Sequence, residues 1–412
     1  MKTIIIISGT PSETAEMELI EAEKIGYRRI LCTDRPDEKL GQLADMHYLI
    51  SFEDVAGLLQ IAQAEKADGI ISMSTKAMIM AATVCQILSL PGNSPESLEN
   101  LISKTAFRKM MARTDVFCPD FVIPNTSDNL EEQCASLHLP IIAKPAQGSS
   151  SFGQTVVYEQ RDLQSAYANA VATSWNGEAV IEDFIPQPSL CALELDVFVK
   201  GEDILWDGVR DSYRVEKAPL RPVYDVYPVG ISNEMFKQMQ YTVRALLKEA
   251  GVSLGEFNIE GYFTNTGEFF VIEINPRPAG YYNPQHIQLY SGVNLSKLLV
   301  TTAVGDDSYY ESLKGFTRTR KHLLAYSVFS DRGGVLDYVY IDPSIQTKLI
   351  DQRYPLGRME GCLVPDILTA IRPITILTFQ FDTKEELESA RRRIEALVYP
   401  VLMDEMQHTS RI

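Results

Sequence analysis

The stretch EFFVIEINPRPAG, Glu268 to Gly280, sets a carboxylate, an amide and a guanidinium at alternate positions of an otherwise apolar run. Side chains alternate along a strand, so Val271, Glu273, Asn275 and Arg277 are expected on one face and Phe270, Ile272 and Ile274 on the other. A half-buried strand with three such groups on one face reads as a ligand-binding strand. Upstream, NIEGYF sets Asn258, Glu260 and Tyr262 on a common face. Between the two runs, TNTGE predicts a hairpin turn with Gly267 at a position suited to positive φ. A two-residue Thr266-Gly267 loop puts Glu260 directly opposite Glu273. A three-residue loop with a bulge shifts the register by one and keeps the two close.

Like charges directly opposite each other destabilise a sheet, so a cation is required between them. Two carboxylates and an amide oxygen, Glu260, Glu273 and Asn275, form an all-oxygen set that suits Mg²⁺, with Mn²⁺ able to substitute. Such a cation fills its remaining positions with water and nucleotide phosphate oxygens. Arg277 then points past the metal and is the candidate catalytic group, holding an oxygen of a transferring phosphoryl group.

The rest of the chain narrows the setting. At 412 residues it is long enough for two or three packed units. Its formal net charge of −17 offers no basic surface for a phosphate backbone, which argues against nucleic acid. The opening MKTIIIISGTP reads as a buried first strand rather than a secretory signal. The apolar-rich segment Ala77 to Leu90 is too short for a membrane span and reads as a core helix, so no membrane partner is expected. The cysteines Cys32, Cys85, Cys118, Cys134, Cys191 and Cys362 form no C-x-x-C pair, and no H-E-x-x-H occurs. They are expected as small apolar residues of a reducing cytoplasm.

Alternating strand and helix signals over residues 1–93 predict a parallel, Rossmann-like layer. Its first loop, SGTPSE, lacks the G-x-G-x-x-G of a dinucleotide site, which disfavours a dehydrogenase. LPGNSPES, Leu90 to Ser97, marks the first boundary. Residues 94–305 are read as one unit. Its first lobe, 94–178, precedes an antiparallel sheet lobe, 179–305, that holds the metal site. Residues 306–412 carry strand signals and a charged helix, and are read as a small α+β cap. The expected class is therefore mixed α/β and α+β.

A metal–nucleotide site in so acidic a chain needs placed cations. Lys144 ends the apolar run LPIIAKP, and the loop that follows contains Gly148, Ser149, Ser150, Ser151 and Gly153, whose N–H groups and hydroxyls can close over phosphates. Lys104 opens a helix. VIEDFIPQP reads as a strand running into a bend, where the backbone at Glu182 and Ile185 can read an adenine edge beside Phe184. Glu194 or Asp196 can meet ribose hydroxyls. Arg210, Arg214, Lys217 and Arg221 are candidates to hold a substrate carboxylate.

In this order along the chain, the elements resemble the ATP-grasp superfamily. The matching parts are a helix Lys (Lys104), a strand-ending Lys (Lys144) before a Gly/Ser loop, the hinge EDFI (Glu182, Asp183, Phe184, Ile185), and an acid (Glu260) ahead of E-x-N-x-R. The resemblance implies an ATP-grasp fold behind an N-terminal pre-ATP-grasp domain, with ATP and Mg²⁺ as cofactors. The implied activity is ADP-forming amide or peptide bond formation through an acyl phosphate. Within the superfamily the chain is most similar to L-amino acid ligases and dipeptide synthetases. The expected partners are small-molecule carboxylate and amine substrates, with a homodimer as the candidate assembly. The alternatives are a carboxylase or nucleotide-pathway ligase using bicarbonate or another small carboxylate, and a non-catalytic ATP-binding regulator.

Overall fold

The computed structural model describes residues 1–9, 13–125, 127–148, 152–219, 221–355, 361–370 and 372–403. The first layer follows from its opening apolar run. Thr3–Ser8 (β1) is buried along its whole length, as expected of a strand covered on both faces by helices. It pairs in parallel with Arg28–Thr33 (β2) on one side and Gly69–Ser72 (β4) on the other. Met46–Leu49 (β3) completes the order β3-β2-β1-β4. The helix Met78–Leu88 is mostly buried against this layer, as the apolar reading of that segment anticipated.

Phe121–Val122 (β5), Ile141–Pro145 (β6), Thr155–Val157 (β7) and Ala179–Asp183 (β8) form a second sheet in the order β5-β8-β6-β7. Here the expected division shifts. β8, expected in the antiparallel lobe 179–305, pairs antiparallel with β6, Ile142 facing Glu182 and Lys144 facing Val180. Pairing with β6 gives β8 a ladder partner on each side and puts Lys144 diagonally across from Glu182 on one face.

The third sheet has the order β13-β12-β9-β10-β11-β14-β18-β16. Its strands are Cys191–Lys200 (β9), Asp203–Tyr213 (β10), Tyr224–Tyr227 (β11), Leu254–Phe263 (β12), Phe269–Asn275 (β13), His322–Val328 (β14), Leu349–Arg353 (β16) and Thr375–Phe381 (β18). The C-terminal segment, expected as a separate cap, thus lends three strands to the sheet that carries Glu260 and Glu273. Gly334–Ile341 (β15), Leu363–Val364 (β17) and Val398–Leu402 (β19) form a small sheet apart. The reason is an open ladder. β11 has one edge left after pairing with β10, and β14 fills it from Tyr224↔Tyr326 to Tyr227↔Leu323.

The β12–β13 hairpin departs from simple alternation. Its turn spans Asn265, Thr266 and Gly267, closed by Thr264 N–H to Glu268 C=O at 2.9 Å, with Gly267 at φ +95°. This three-residue loop pairs Phe263 with Phe269, and an extra residue near Ile272 then brings Glu260 opposite Glu273. The bulge also overturns part of the expected face. Val271 packs in the core with Phe269 and Ile274, while Phe270 stacks edge-on against Tyr262 on the cleft side.

Gly261 sits where the two strands close up. A Cβ there would lie 2.6 Å from the Phe270 carbonyl oxygen and 2.8 Å from the Phe269 ring. Gly261→Ala is therefore expected to destabilise the fold by about 1–3 kcal/mol, the usual cost of overpacking. Urea denaturation checks this, and an unchanged midpoint would mean that the hairpin relaxes freely.

Candidate functional site

Each side chain of the cleft is held by the element that carries it. Ser103 caps the helix Lys104–Met111, its hydroxyl accepting from Ala106 N–H, and the Lys104 N–H donates to the Ala146 carbonyl at 2.7 Å. That bond ties the helix start to the end of β6, close to Lys144. Lys104, which the resemblance places among the nucleotide-binding residues, is only 12% exposed, with Nζ 3.9 Å from Glu273 Oε2. Four residues along the same helix face, Arg108 forks onto Glu182, with Nε to Oε2 at 2.7 Å and Nη2 to Oε1 at 3.2 Å. Lys144 Nζ bonds the same carboxylate. Alternation and motif spacing alone do not mark Arg108. Its i,i+4 spacing from Lys104 is the signal that could have found it.

Glu182 is thus a buried anion between two buried cations. Burial pushes its carboxyl up, but Arg108 and Lys144 outweigh it and hold it at about 2. Burial shifts Lys144 down, against the pull of Glu182. Asp183, next along the strand, is turned the other way and accepts from the His138 N–H at 2.9 Å. The Glu182 residue lies within the ladder, flanked by Phe121 and Ile142, so its backbone is not the open edge expected for it. That edge begins where the strand ends. The Phe184 N–H donates to Pro140 at 3.0 Å, and the Ile185 carbonyl accepts from the Tyr262 hydroxyl at 2.6 Å. The Ile185 N–H carries no hydrogen bond among the described residues.

At the other end of the cleft, Glu260 and Glu273 face each other across the hairpin, and Asn258 faces Asn275. Arg214 bonds Glu260, while the Asn275 amide donates to Glu273 Oε1 at 2.9 Å. Burial and the facing Glu273 raise the Glu260 carboxyl, with Arg214 opposing. For Glu273, burial is outweighed by Lys104, the Asn275 amide and Arg277, which hold it low. One carboxylate therefore keeps its charge more firmly than the other, as expected of two like charges sharing a site. The oxygen donors fit a hard divalent cation. Arg277 Nε donates to Thr75 Oγ1 of the first layer at 3.2 Å, and Nη1 to the Pro278 carbonyl at 2.9 Å.

Two expectations change here. Glu194, expected at the ribose, stands directly opposite Glu260, receives the Asn258 amide at 3.2 Å, and lies 3.6 Å from Arg210 and 3.9 Å from Arg214. Burial and the nearby Glu260 raise its carboxyl to about 8. Arg210, a candidate for substrate binding, is 1% exposed and engaged by Asp196 at 2.6 Å and Asp225 at 3.1 Å. Lys217 and Arg221 turn to the C-terminal segment, and Arg214, itself 5% exposed, is the guanidinium of that group that reaches the cleft, held there by Glu260. In the expected phosphate loop, Gly153 has φ +80° and no room for a Cβ beside Thr173, whereas Gly148 would tolerate one. Ser149, Ser150 and Ser151 lie outside the described residues. Of the cysteines expected in the core, Cys32, Cys85 and Cys134 are buried, and Cys118, Cys191 and Cys362 are partly exposed. Among the described residues no helix is long and apolar enough to cross a membrane.

Residues 137–284 match the family model of the ATP-grasp domain. The whole fold is similar to that of L-amino acid ligase from Bacillus licheniformis, with a TM-score of 0.80 at 16% identity over 98% of this chain and 99% of that one. It is also similar to the biotin carboxylase domain of the Hydrogenobacter thermophilus 2-oxoglutarate carboxylase, solved with MgADP, ADP and bicarbonate. There the TM-score is 0.73 at 15% identity, over 96% and 90% of the chains. In sequence, the chain is 27% identical to the uncharacterized protein y4rH of Sinorhizobium fredii over 339 residues, 81% of this chain. It is 23% identical over 306 residues, 71% of this chain, to the carbamoyl phosphate synthase large chain of Vibrio vulnificus. The chain spans 64% of the first relative and 27% of the second. The part of the chain that matches the ATP-grasp domain holds β6, β8 and the β12–β13 hairpin, with Lys144, Glu182, Glu260, Glu273 and Asn275.

The Glu182 ion pairs set an acid limit. Because its folded-state value lies below the ordinary 4.5, they contribute stability that is fully present above about pH 4.5 and lost as the pH falls towards 2. Glu182→Gln is expected to lower unfolding free energy at pH 7 by about 3–5 kcal/mol, since it leaves buried cations uncompensated. Urea titrations should show that gap shrinking below pH 4.5. A gap independent of pH would contradict the assignment.

Proposed function

We propose that this protein is an ATP- and Mg²⁺-dependent ligase that joins a carboxylate, an amino acid or another small acid, to an amine through an acyl phosphate, releasing ADP and phosphate. The observation that carries this reading is the cross-strand pair Glu260/Glu273 with Asn275 and Lys104 beside it, at one end of a cleft whose other end holds Lys144 and the hinge. The whole-chain likeness to an L-amino acid ligase supports it.

In this reading Glu260, Glu273 and Asn275 hold the divalent cation, which supplies charge neutralisation for the phosphates when bound. Lys104 and Lys144 face the phosphate chain, with the described loop glycines Gly148 and Gly153 beside them. The Ile185 N–H, beside Asp183 and Phe184, is free to meet an adenine acceptor, and the buried Glu182 keeps Lys144 aimed into the cleft. Glu194 acts as a support for Glu260 through Arg214 rather than as a ribose ligand. Arg277, anchored on Thr75, stabilises charge on the transferring phosphoryl group, and Arg214 is the group placed to meet the substrate carboxylate. No protein nucleophile is needed, because the substrate carboxylate itself attacks the phosphoryl group and the amine then displaces phosphate.

A second reading is favoured by the likeness to a biotin carboxylase domain solved with bicarbonate: the acid activated is bicarbonate, or another small carboxylate of a nucleotide pathway. Phosphate release from ATP and Mg²⁺ across a grid of amino acids, small acids and amines, with and without bicarbonate, decides between the two. Release demanding one acid and one amine, with product mass equal to their condensation, supports the ligase. Release demanding bicarbonate supports the second reading, and ATP binding with no release under any pair overturns both.

Glu273→Gln is expected to lower kcat by about 10³-fold or more with the circular dichroism spectrum unchanged, in line with losing a preorganised charge partner. Arg277→Ala is expected to lower kcat far more than nucleotide affinity, as for an interaction made chiefly in the transition state. Near-normal turnover in either variant would remove that residue from the machinery.

A further inference from the structure

A second cavity, of about 480 Å³, lies between the large sheet and the C-terminal strands, and the chemistry above does not use it. It opens on the sheet face opposite the cleft. Asp225 of β11 points into the Arg210 network on the cleft side, so its neighbour Tyr224 projects the other way, as does Tyr326, which pairs with Tyr224 and lines the cavity.

The floor is apolar, with Tyr326 4%, Phe329 7% and Ile367 4% exposed. The rim carries both signs of charge. Lys217 Nζ lies 2.7 Å from Asp331 Oδ1 and 3.0 Å from Glu395 Oε1. Arg332 also lines the cavity, and its guanidinium has no ion pair among the described residues. An apolar floor with a few convergent polar groups is the usual make-up of a small-molecule site, and the volume falls in the usual range.

We propose that this cavity binds a free amino acid with an apolar side chain, as the intact zwitterion, at a site separate from the nucleotide cleft. The ligand carboxylate meets Arg332 and Lys217, its ammonium meets Asp331 and Glu395, and its side chain covers Tyr326 and Phe329. A simple anion would compete with Asp331 and Glu395 for Lys217, and a simple cation would compete with Lys217 for the two carboxylates, whereas a zwitterion pairs with each set and brings in Arg332. The proposal goes beyond the ligase reading and does not depend on turnover.

The test uses the full chain without ATP or metal. Tyr399 also lines the cavity and is 42% exposed, so Tyr399→Trp places a fluorescent reporter at the rim. L-leucine and L-phenylalanine are titrated against it, with leucinamide and N-acetyl-leucine as probes that each lack one charge. A saturable fluorescence change is expected with the free amino acids. Binding is expected to be at least tenfold weaker for both single-charge probes, and for L-leucine in the Arg332→Met/Glu395→Gln variant carrying the same reporter. Lys217 is left intact because its segment also carries Arg214. Calorimetry on the unsubstituted chain guards against an effect of the reporter. No saturable binding by either method would overturn the proposal, as would single-charge probes that bind as tightly or a double variant that binds as before. Failure of the ligase reading appears only in the turnover grid, so the two failures are distinguishable.

Discussion

Everything in the cleft is arranged around two carboxylates that ought to repel. Glu260 and Glu273 face each other across a hairpin, where like charges cost stability. The fold brings cations to both: Arg214 from β10 on Glu260, and Lys104 from a capped helix near Glu273. The two neighbourhoods differ enough that Glu273 holds its charge more firmly than Glu260. A hard divalent cation between them would relieve the repulsion and free both cationic side chains for other anions. A cation bound as proposed would thus offset the local cost of the pair.

A second anion organises the opposite wall. Glu182 draws Arg108 and Lys144 from two different elements, and its burial makes the geometry unforgiving. Arg108 also reaches the Ile272 carbonyl at 3.3 Å, beside the bulge that sets the Glu260–Glu273 register. β8, the helix Lys104–Met111 and the β12–β13 hairpin therefore share one buried guanidinium, and β6 joins them through the bond of Lys144 to Glu182. Arg277 adds the first layer to this assembly through Thr75.

Much of this was legible beforehand because it depends on local pattern. Alternation placed Glu273 with Asn275, four isoleucines announced a covered parallel strand, and Gly267 marked the turn. The misreadings share a cause. Strict alternation put Val271 beside Glu273, but the bulge near Ile272 moves Val271 into the core. β8 and the C-terminal strands were grouped with their neighbours in sequence, whereas ladders are completed by whichever edge is open. By local pattern Glu194 and Arg210 are available to a ligand. Their partners, Asn258, Asp196 and Asp225, come from other strands of the sheet.

The sequence by itself determined which chemical groups the cleft could contain and which short segments would carry them, since strand period, capping and turn geometry act over a few residues. Only the tertiary structure decided which of those groups remain available. Arg210 and Glu194 are spent on partners inside the sheet, Lys217 is turned to the other face, and Lys104, Lys144 and Arg214 converge on the cleft. That outcome rests on pairings between residues far apart in the chain, whose strength is set by burial and by distances that no local pattern encodes.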